Sequence, residues 1–391
     1  MKNKNKVIIY VLLVTIFISQ IFVLPVKGDE KGLDVEARSG LLMEPYSGKI
    51  IFEKNIHEKF APASVTKIMT MLLAMEDIDS GKIKINDKIV VSENAKKMGG
   101  NGSSSMLLDT GEIRTVEEIL KGVAIASGND AAVALAEYIS GSEDAFVKRM
   151  NERVKELGMK DTTFKNCHGL SAEGHLTSAY DIAIMSRELL KHEKILKYSG
   201  TYMETISEGR KQPIGLVNHN KLVRFYKGCD GLKTGFTNEA KYCISATATR
   251  DNIRMLAVIM GAPTYKVRNR DASMLMNHGF SKFEAKKIMV KHSDVEKISL
   301  NKKGDKYIMA KSGEDLTVIL ERGVENKITK KCVLKESKRE YKKNEIIGYC
   351  EVYVNDKLYG KVPVYSDRDM KLHNILDNIK YHLMGLFDKA V

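Results

Sequence analysis

Residues 61–75 read Ala-Pro-Ala-Ser-Val-Thr-Lys-Ile-Met-Thr-Met-Leu-Leu-Ala-Met. Apolar side chains fall on nearly every side of the helix that this stretch predicts, so the helix should lie buried at the centre of a domain. Pro62 suits its first turn, where an amide has no partner to lose. Ser64 and Lys67 lie three residues apart on one face. A lysine in so apolar a place loses basicity and can accept the serine proton, although the pair alone also fits a helix cap and a surface lysine.

A second polar motif, Ser127-Gly128-Asn129, interrupts the helical stretch 115–140. That stretch begins with Thr115 followed by Glu118, which is a capping box. Gly128 breaks the helical pattern and predicts a loop between two helices. Such a loop can present Ser127 and Asn129 to a cleft, where Ser127 could relay a proton and Asn129 could hold a substrate amide. Taken alone, the motif also fits an ordinary turn.

The third motif, Lys233-Thr234-Gly235, precedes two predicted strands at 242–249 and 253–260, with residues 250–252 as the turn between them. An edge strand beside a cleft can bind a peptide by strand addition, and glycine allows close backbone approach. Lys233 and Thr234 would then meet a substrate carboxylate. A surface turn is the alternative when the motif is considered alone.

The order of the predicted elements indicates an α+β fold, with helices packed on a central antiparallel sheet. Residues 38–53 read as two strands around a turn, and the helices come between this pair and the later strands. After about residue 285 the segments become short and alternating, which predicts a small all-β domain. Residues 370–387 return to a helical period with one apolar face and predict an amphipathic helix. That helix either caps the β domain or lies on a membrane surface.

The N-terminus has the three parts of a secretory signal peptide. Lys2, Lys4 and Lys6 precede an apolar run at 7–24, and the small residues of a cleavage site follow at 25–28. An uncleaved anchor is the alternative, because the run has about the length of a short membrane span. Either way we expect the bulk of the chain to leave the cytoplasm.

The chain has a net charge of +13 over 391 residues. It contains no aromatic-interleaved basic motif of the kind that binds nucleic acid. Attraction to anionic lipid or to an anionic wall fits the predicted compartment better.

The cysteine pattern argues against a metal centre. The five cysteines are odd in number, and their spacings match no metal motif. Cys332 and Cys350 could pair, which the sequence leaves open. Cys167 stands beside His168, but we interpret it as a buried or incidental thiol. No metal or cofactor is expected.

Taken together and in this order, the motifs resemble those of the penicillin-binding proteins and class A β-lactamases. The segments 61–70, 126–137 and 230–237 are similar to those of low-molecular-weight penicillin-binding proteins of the D-alanyl-D-alanine carboxypeptidase type, peptidase family S11. The resemblance covers about residues 35–285. It extends more loosely to a β-rich stalk domain and a terminal membrane-binding helix. It implies a β-lactamase/DD-peptidase-like fold.

The resemblance also implies roles for individual residues. Ser64 would be the nucleophile, Lys67 its base and Ser127 the second hydroxyl of the proton path. The implied substrate-binding residues are Asn129, Lys233, Thr234, Gly235, Phe236 and Arg268, with the backbone amides of Ser64 and Phe236 as the oxyanion hole. Some relatives carry histidine where Phe236 stands, which affects substrate fine-tuning.

The activity that the resemblance implies is removal of the terminal D-alanine from peptidoglycan stem peptides ending in D-Ala-D-Ala, through an acyl-enzyme that β-lactams also form. A DD-endopeptidase is a close alternative. A class A β-lactamase would need a Glu-x-x-x-Asn loop, yet Glu152 and Glu156 are followed four residues later by Glu156 and Lys160. A non-catalytic wall-binding homologue is the remaining alternative, against which the intact motifs argue.

These expectations divide the chain into consecutive segments. They are a signal peptide at 1–28, a serine DD-peptidase domain at 29–285, a β-rich domain at 286–366 and a terminal amphipathic helix at 367–391, with membrane contact through 370–387. The predicted location is the outer face of the cytoplasmic membrane or the cell wall.

Overall fold

The computed structural model describes residues 33–100, 102–206, 210, 212–300, 306–335 and 340–371. The chain divides into two compact units, Met1–Val35 and Glu36–Val391, and all the elements named below lie in the second. The predicted signal peptide and residues 372–391 of the predicted terminal helix lie outside the described residues. Among the described residues, no helix is both long enough and apolar enough to span a membrane.

The helices all lie before residue 283, in the part of the described chain called here the first domain; the part from Phe283 onward is called the second domain. They are α1 Lys67–Asp79, α2 Glu93–Met98, α3 Val116–Ala124, α4 Asn129–Ser140, α5 Glu143–Glu156, α6 Ala179–Leu189, α7 Ile195–Ser199, α8 Leu222–Phe225 and α9 Tyr265–Lys282.

The strands lie before, between and after the helices of the first domain, and they continue throughout the second. They are β1 Ser39–Glu44, β2 Lys49–Lys54, β3 Lys88–Val90, β4 Ile113–Thr115, β5 Met203–Ile206, β6 Ile214–Val217, β7 Cys229–Thr237, β8 Lys241–Arg250, β9 Ile253–Ala262, β10 Phe283–Met289, β11 Asp294–Ser299, β12 Tyr307–Ser312, β13 Leu316–Glu321, β14 Ile328–Leu334, β15 Glu340–Tyr341, β16 Ile346–Val354, β17 Lys357–Ser366 and β18 Met370–Lys371.

The central sheet of the first domain has the antiparallel order β2-β1-β9-β8-β7. The N-terminal pair β1–β2 therefore lies beside strands from the end of the domain. Strand β7, which carries Lys233-Thr234-Gly235, is at the edge of this sheet. The α+β fold class with a separate all-β domain is confirmed, and among the described residues β7 has a paired strand on one side only.

Helix α1 is the buried helix that the sequence predicts, because every residue from Ile68 to Met75 is buried. Its start differs from the prediction. Residues Ala63–Thr66 form a 3-10 turn, and α-helical bonding begins only at Lys67. The chain enters this turn through Ala63, whose φ of +49° is not helical. Ser64 therefore lies in a tight turn against the helix rather than within it.

The second domain is all β. Its main sheet has the order β11-β12-β17-β16-β14, and β10 pairs with β13. Alternating side chains of β12 and β13, such as Ile308 and Val318, are buried in its core. Cys332 on β14 lies directly opposite Cys350 on β16, and both are free thiols. The sequence left the pairing open, and the register places the two residues side by side.

The predicted terminal helix is wrong at its first two residues. Met370 and Lys371 form strand β18, which pairs with β15. Met370 lies opposite the buried Tyr341, so this pairing holds the chain extended there.

Candidate active site

The turn that carries Ser64 is held between two glycine backbones. On one side a Cβ added at Gly235 of β7 would come within 3.0 Å of the Ser64 amide nitrogen. On the other side a Cβ at Gly169 would lie 1.9 Å from the Ala63 carbonyl oxygen, and Gly169 has a φ of +95°. Only glycine allows these approaches. They fix the position of the Ser64 hydroxyl between the edge strand and the loop that follows α5.

Lys67 is completely buried and its ammonium group faces Ser64. Its Nζ donates to Ser64 Oγ at 3.1 Å, to Asn129 Oδ1 at 2.6 Å and to the carbonyl oxygen of His168 at 2.6 Å. Burial lowers the pKa of Lys67 to about 7. The side chain can therefore be neutral near neutral pH, and in that form it can accept a proton from the serine.

The second motif lies where the sequence predicts a break, between α3 and α4. The predicted capping box, between Thr115 and Glu118, is present at the start of α3. Ser127 is buried and has a φ of +60°, a left-handed conformation that costs energy outside glycine. Asn129 begins α4, and its side chain bridges Lys67 to Ser103 Oγ, to which its Nδ2 donates at 2.9 Å. The structure thus brings the first and second motifs together through Lys67 and Asn129.

The third motif adds a second buried lysine. Lys233 and Thr234 are both buried, and Lys233 Nζ donates to the Thr234 carbonyl oxygen at 3.0 Å. Burial holds the pKa of Lys233 well below its usual range, and the charges of Lys67 and Arg268 act in the same direction. The convergence of these cations favours an anionic ligand such as a carboxylate.

Arg268 lies in the first turn of α9, the helix that packs against β8 and β9. It is only 6% exposed, and its Nε and Nη2 donate to Asn269 Oδ1 at 3.0 and 2.9 Å. Burial lowers the pKa of Arg268 to about 10. Phe236, the residue after Lys-Thr-Gly, is 49% exposed and its ring lies 4.3 Å from that of Tyr242. The structure therefore places an aromatic surface at the end of the motif.

The loop after α5 contributes to the site in a way that the sequence did not predict. Besides the bond from Lys67 to His168, Thr70 Oγ1 donates to the Cys167 carbonyl oxygen at 2.6 Å. The Cys167 thiol is buried, as predicted, and burial raises its pKa well above the usual range. Burial also lowers the pKa of His168 to about 3, so its imidazole is neutral. The loop supplies backbone acceptors for Lys67 and Thr70 of α1, and such contacts have no side-chain motif to reveal them.

His219 lies near the third motif, and the sequence analysis did not identify it. It stands between Asn218 and Asn220, whose buried side chains donate to the carbonyl oxygens of Ser199 and Gly231 at 2.9 Å. Burial lowers the pKa of His219 to about 4, helped by the charges of Lys233 and other cations. In the described part of the chain, no group of His, Cys, Asp and Glu side chains is arranged to hold a metal ion.

Comparison with known families gives two matches. Residues 26–264 match the family model described as D-alanyl-D-alanine carboxypeptidase, peptidase S11. Residues 283–372 match the model of the penicillin-binding protein 5 C-terminal domain. Together the two models cover nearly all of the described chain.

Individual proteins agree with these matches. The D-alanyl-D-alanine carboxypeptidase DacF of Bacillus subtilis (strain 168) is 44% identical over 347 residues, which are 88% of each chain. DacD of Salmonella typhimurium is 33% identical over 348 residues, 85% of this chain and 86% of the relative. The crystal structure of penicillin-binding protein 5 from Haemophilus influenzae superposes with a TM-score of 0.67 at 30% identity, covering 86% of this chain and 98% of that one.

Proposed function

Because the chain belongs to the D-alanyl-D-alanine carboxypeptidase family, we propose that Ser64 is the nucleophile with which it cleaves the bond between the last two D-alanines of peptidoglycan stem peptides. The protein is a penicillin-binding D-alanyl-D-alanine carboxypeptidase, and nothing in the comparisons favours a β-lactamase, an endopeptidase or a non-catalytic homologue. The observation that carries the assignment of Ser64 is the 3.1 Å contact from Lys67 Nζ to its hydroxyl.

The proton of Ser64 passes to the neutral amine of Lys67 as Oγ attacks the carbonyl carbon. The carbonyl oxygen becomes an oxyanion, which the backbone amides of Ser64 and Phe236 stabilise. When the intermediate collapses, the C–N bond breaks and the proton reaches the leaving D-alanine amine through Ser127. Water then releases the shortened peptide by the reverse sequence of proton transfers. β-Lactams acylate the same oxygen.

Recognition of the terminal carboxylate falls to Lys233, Thr234 and Arg268. Strand β7 is at the sheet edge, so the substrate backbone can extend the sheet beside Gly235 while its carboxylate lies near Lys233, Thr234 and Arg268. The burial of Lys233 and Arg268 supports this role, since a carboxylate would compensate charges that water reaches poorly. Asn129 is assigned to the peptide amide of the substrate.

The test is D-alanine release from a pentapeptide ending in D-Ala-D-Ala, together with labelling by a fluorescent penicillin. Ser64→Ala should abolish both signals. Ser80→Ala is the matched control, because Ser80 caps the far end of α1 and donates to the Asp77 carbonyl oxygen. If Ser64→Ala is still acylated at its normal stoichiometry, another residue is the nucleophile. Analysis of products from cross-linked dimers measures any endopeptidase activity.

We also propose that the enzyme is exported and associates with the membrane surface. The support is the signal-like sequence at 1–28 and the apolar stripe within 372–387, made of Leu372, Ile375, Leu376, Ile379, Leu383, Leu386 and Phe387. In this division the peptidase domain spans 29–285, the β-rich domain 286–366 and the terminal segment 367–391. N-terminal sequencing of the exported protein tests cleavage. A chain ending at Lys371 that fractionates with membranes like the full chain would contradict the anchor.

A further inference from the structure

Asp130 is a buried carboxylate that the proposed mechanism does not use. It is the second residue of α4 and follows Asn129 directly. Its oxygens accept hydrogen bonds from Ser105 Oγ at 2.6 Å and from the amides of Met106 and Leu108 at 2.9 and 3.1 Å. The segment 103–108, called here the roof segment, is therefore folded around this one carboxylate.

The roof segment in turn holds Asn129. Ser103 Oγ accepts from Asn129 Nδ2 at 2.9 Å, and the Ser104 carbonyl oxygen accepts from the Asn129 amide at 2.8 Å. The other end of the Asn129 side chain accepts from Lys67 Nζ at 2.6 Å. A continuous set of hydrogen bonds thus runs from Asp130 through the roof segment and Asn129 to the proposed base.

The space around Asp130 is tightly filled. A Cβ at Gly128 would come within 2.7 Å of Asp130 Oδ1, and a Cβ at Gly99 would come within 3.0 Å of Asp130 Oδ2. The absence of a side chain at Gly128 and Gly99 therefore makes the room that the carboxylate occupies.

We propose that Asp130 is a positioning residue of the carboxypeptidase reaction, which holds the roof segment so that Asn129 faces Lys67 and whose negative charge acts on the Lys67 ammonium group. The inference rests on the proposed assignment of Lys67 as the base. The hydrogen bonds of Asp130 go to the roof segment and to its own helix rather than to Ser64, so it acts through Asn129 and Lys67.

The electrostatics agree with this geometry. Burial lowers the pKa of Lys67 to about 7, while Cys167 and Asp130 act in the opposite direction. The Cys167 thiol is neutral at ordinary pH because burial raises its pKa, which leaves the carboxylate as the standing negative charge. Lys67 also interacts with Lys233 on β7, His168 on the loop after α5 and His219 before α8. Removing the carboxylate charge should therefore lower the pKa of Lys67 further.

The experiment compares Asp130→Asn and Asp130→Ala with the wild type in the full chain. Acylation by a fluorescent penicillin is followed across pH, and thermal unfolding is measured in parallel. In a plot of acylation rate against pH, the rising part at low pH is the acid limb. Asp130→Asn should move this limb to lower pH by about half a unit. Asp130→Ala should show the same shift and, with the roof segment released, a further loss of roughly tenfold in rate.

Asp77→Asn is the matched control, because Asp77 is also buried and ion-paired, with Arg149, at the far end of α1. It should lower the unfolding temperature and leave the acid limb in place. An Asp130→Asn profile that superimposes on the wild type would overturn the proposal, whatever its stability. If neither Asp130 variant folds, Ser105→Ala removes one bond to the carboxylate, and an unchanged rate for that variant would count against the proposal. If the wild type is not acylated, the proposed function fails. If the wild type is acylated but the Asp130 variants behave like it, only the proposal for Asp130 fails.

Discussion

The Lys67 ammonium nitrogen lies 3.1 Å from Ser64 Oγ, across a 3-10 turn whose last residue directly precedes Lys67. Because the turn is tighter than an α-helix, the two side chains meet directly. A neutral amine at this distance is in reach to take the hydroxyl proton. The protonation state of Lys67 should therefore control the first chemical step.

The first prediction concerns pH. Burial lowers the pKa of Lys67 to about 7, so its neutral form is scarce below that pH and predominates above it. Acylation by a β-lactam should therefore increase as the pH rises through about 7. Stopped-flow measurement of acylation across pH checks this. A rate that falls as the pH rises through this range would contradict the role of Lys67 as base.

The second prediction concerns the identity of the base. Lys67→Arg keeps the positive charge but cannot lose a proton in this range, so acylation should fall by at least roughly a hundredfold. Lys97→Arg, on the exposed side of α2, should acylate at the wild-type rate. Equal rates for the two variants would show that Lys67 serves only as a fixed charge.

The third prediction concerns carboxylate recognition. Arg268→Gln removes a buried guanidinium, so KM for a D-Ala-D-Ala peptide should increase roughly ten- to hundredfold. Arg270→Gln is the matched control on the same helix, because Arg270 is exposed and pairs with Glu36. Steady-state kinetics with the free-acid peptide and with its C-terminal amide separates carboxylate recognition from other effects on KM. The Arg268 variant should discriminate less between these two peptides than the wild type does.

The fourth prediction concerns the loop behind the nucleophile. Gly169→Ala would place a methyl group 1.9 Å from the Ala63 carbonyl oxygen, so the turn and the loop must separate. We expect a loss of stability of about 1–3 kcal/mol and at least roughly tenfold slower acylation. Gly174→Ala also has a positive φ, but its Cβ would meet only the end of the Lys165 side chain. Gly174→Ala should therefore acylate at the wild-type rate. Thermal unfolding compares the stability of the two variants, and penicillin labelling compares their acylation rates.

The sequence predicted the parts of the site that reside in short motifs. Ser64 and Lys67 could be paired from their spacing, and the loop at Gly128 and the capping box at Thr115 follow from local rules. The structure agrees with both local predictions. The predicted turn between β8 and β9, residues 250–252, was one residue too long. Arg250 pairs with Ile253, so only Asp251 and Asn252 form the turn, and both have a positive φ.

What the sequence could not reveal depends on contacts between distant segments. The His168 carbonyl oxygen accepts from Lys67 across more than a hundred residues, and any residue type has such an oxygen. Asp130 lies in segment 126–137, which resembles the family. The residues of the roof segment that bind it follow no sequence motif. The 3-10 turn before α1 is likewise accompanied by the close packing of Gly169 and Gly235 against Ala63.

The last prediction tests the register of the second domain. Cys332 and Cys350 are directly opposite on β14 and β16, and their thiols contact each other. Oxidation by diamide should therefore join them in a disulfide, the two thiols giving two protons and two electrons to the azo group, which becomes a hydrazine. Peptide mapping without reduction should find this cross-link. In the chain-entropy model it should stabilise the domain by about 3 kcal/mol.

Cys229 and Cys243 provide the internal control, because on β7 and β8 they face Ala248 and Gly235 rather than each other. They should stay unlinked under the same conditions. A register shifted by one residue would turn Cys332 to the opposite face of the sheet from Cys350, and the cross-link would not form. Failure to cross-link in the folded protein would therefore contradict the pairing of β14 with β16, while leaving the assignment of Ser64 and Lys67 untouched.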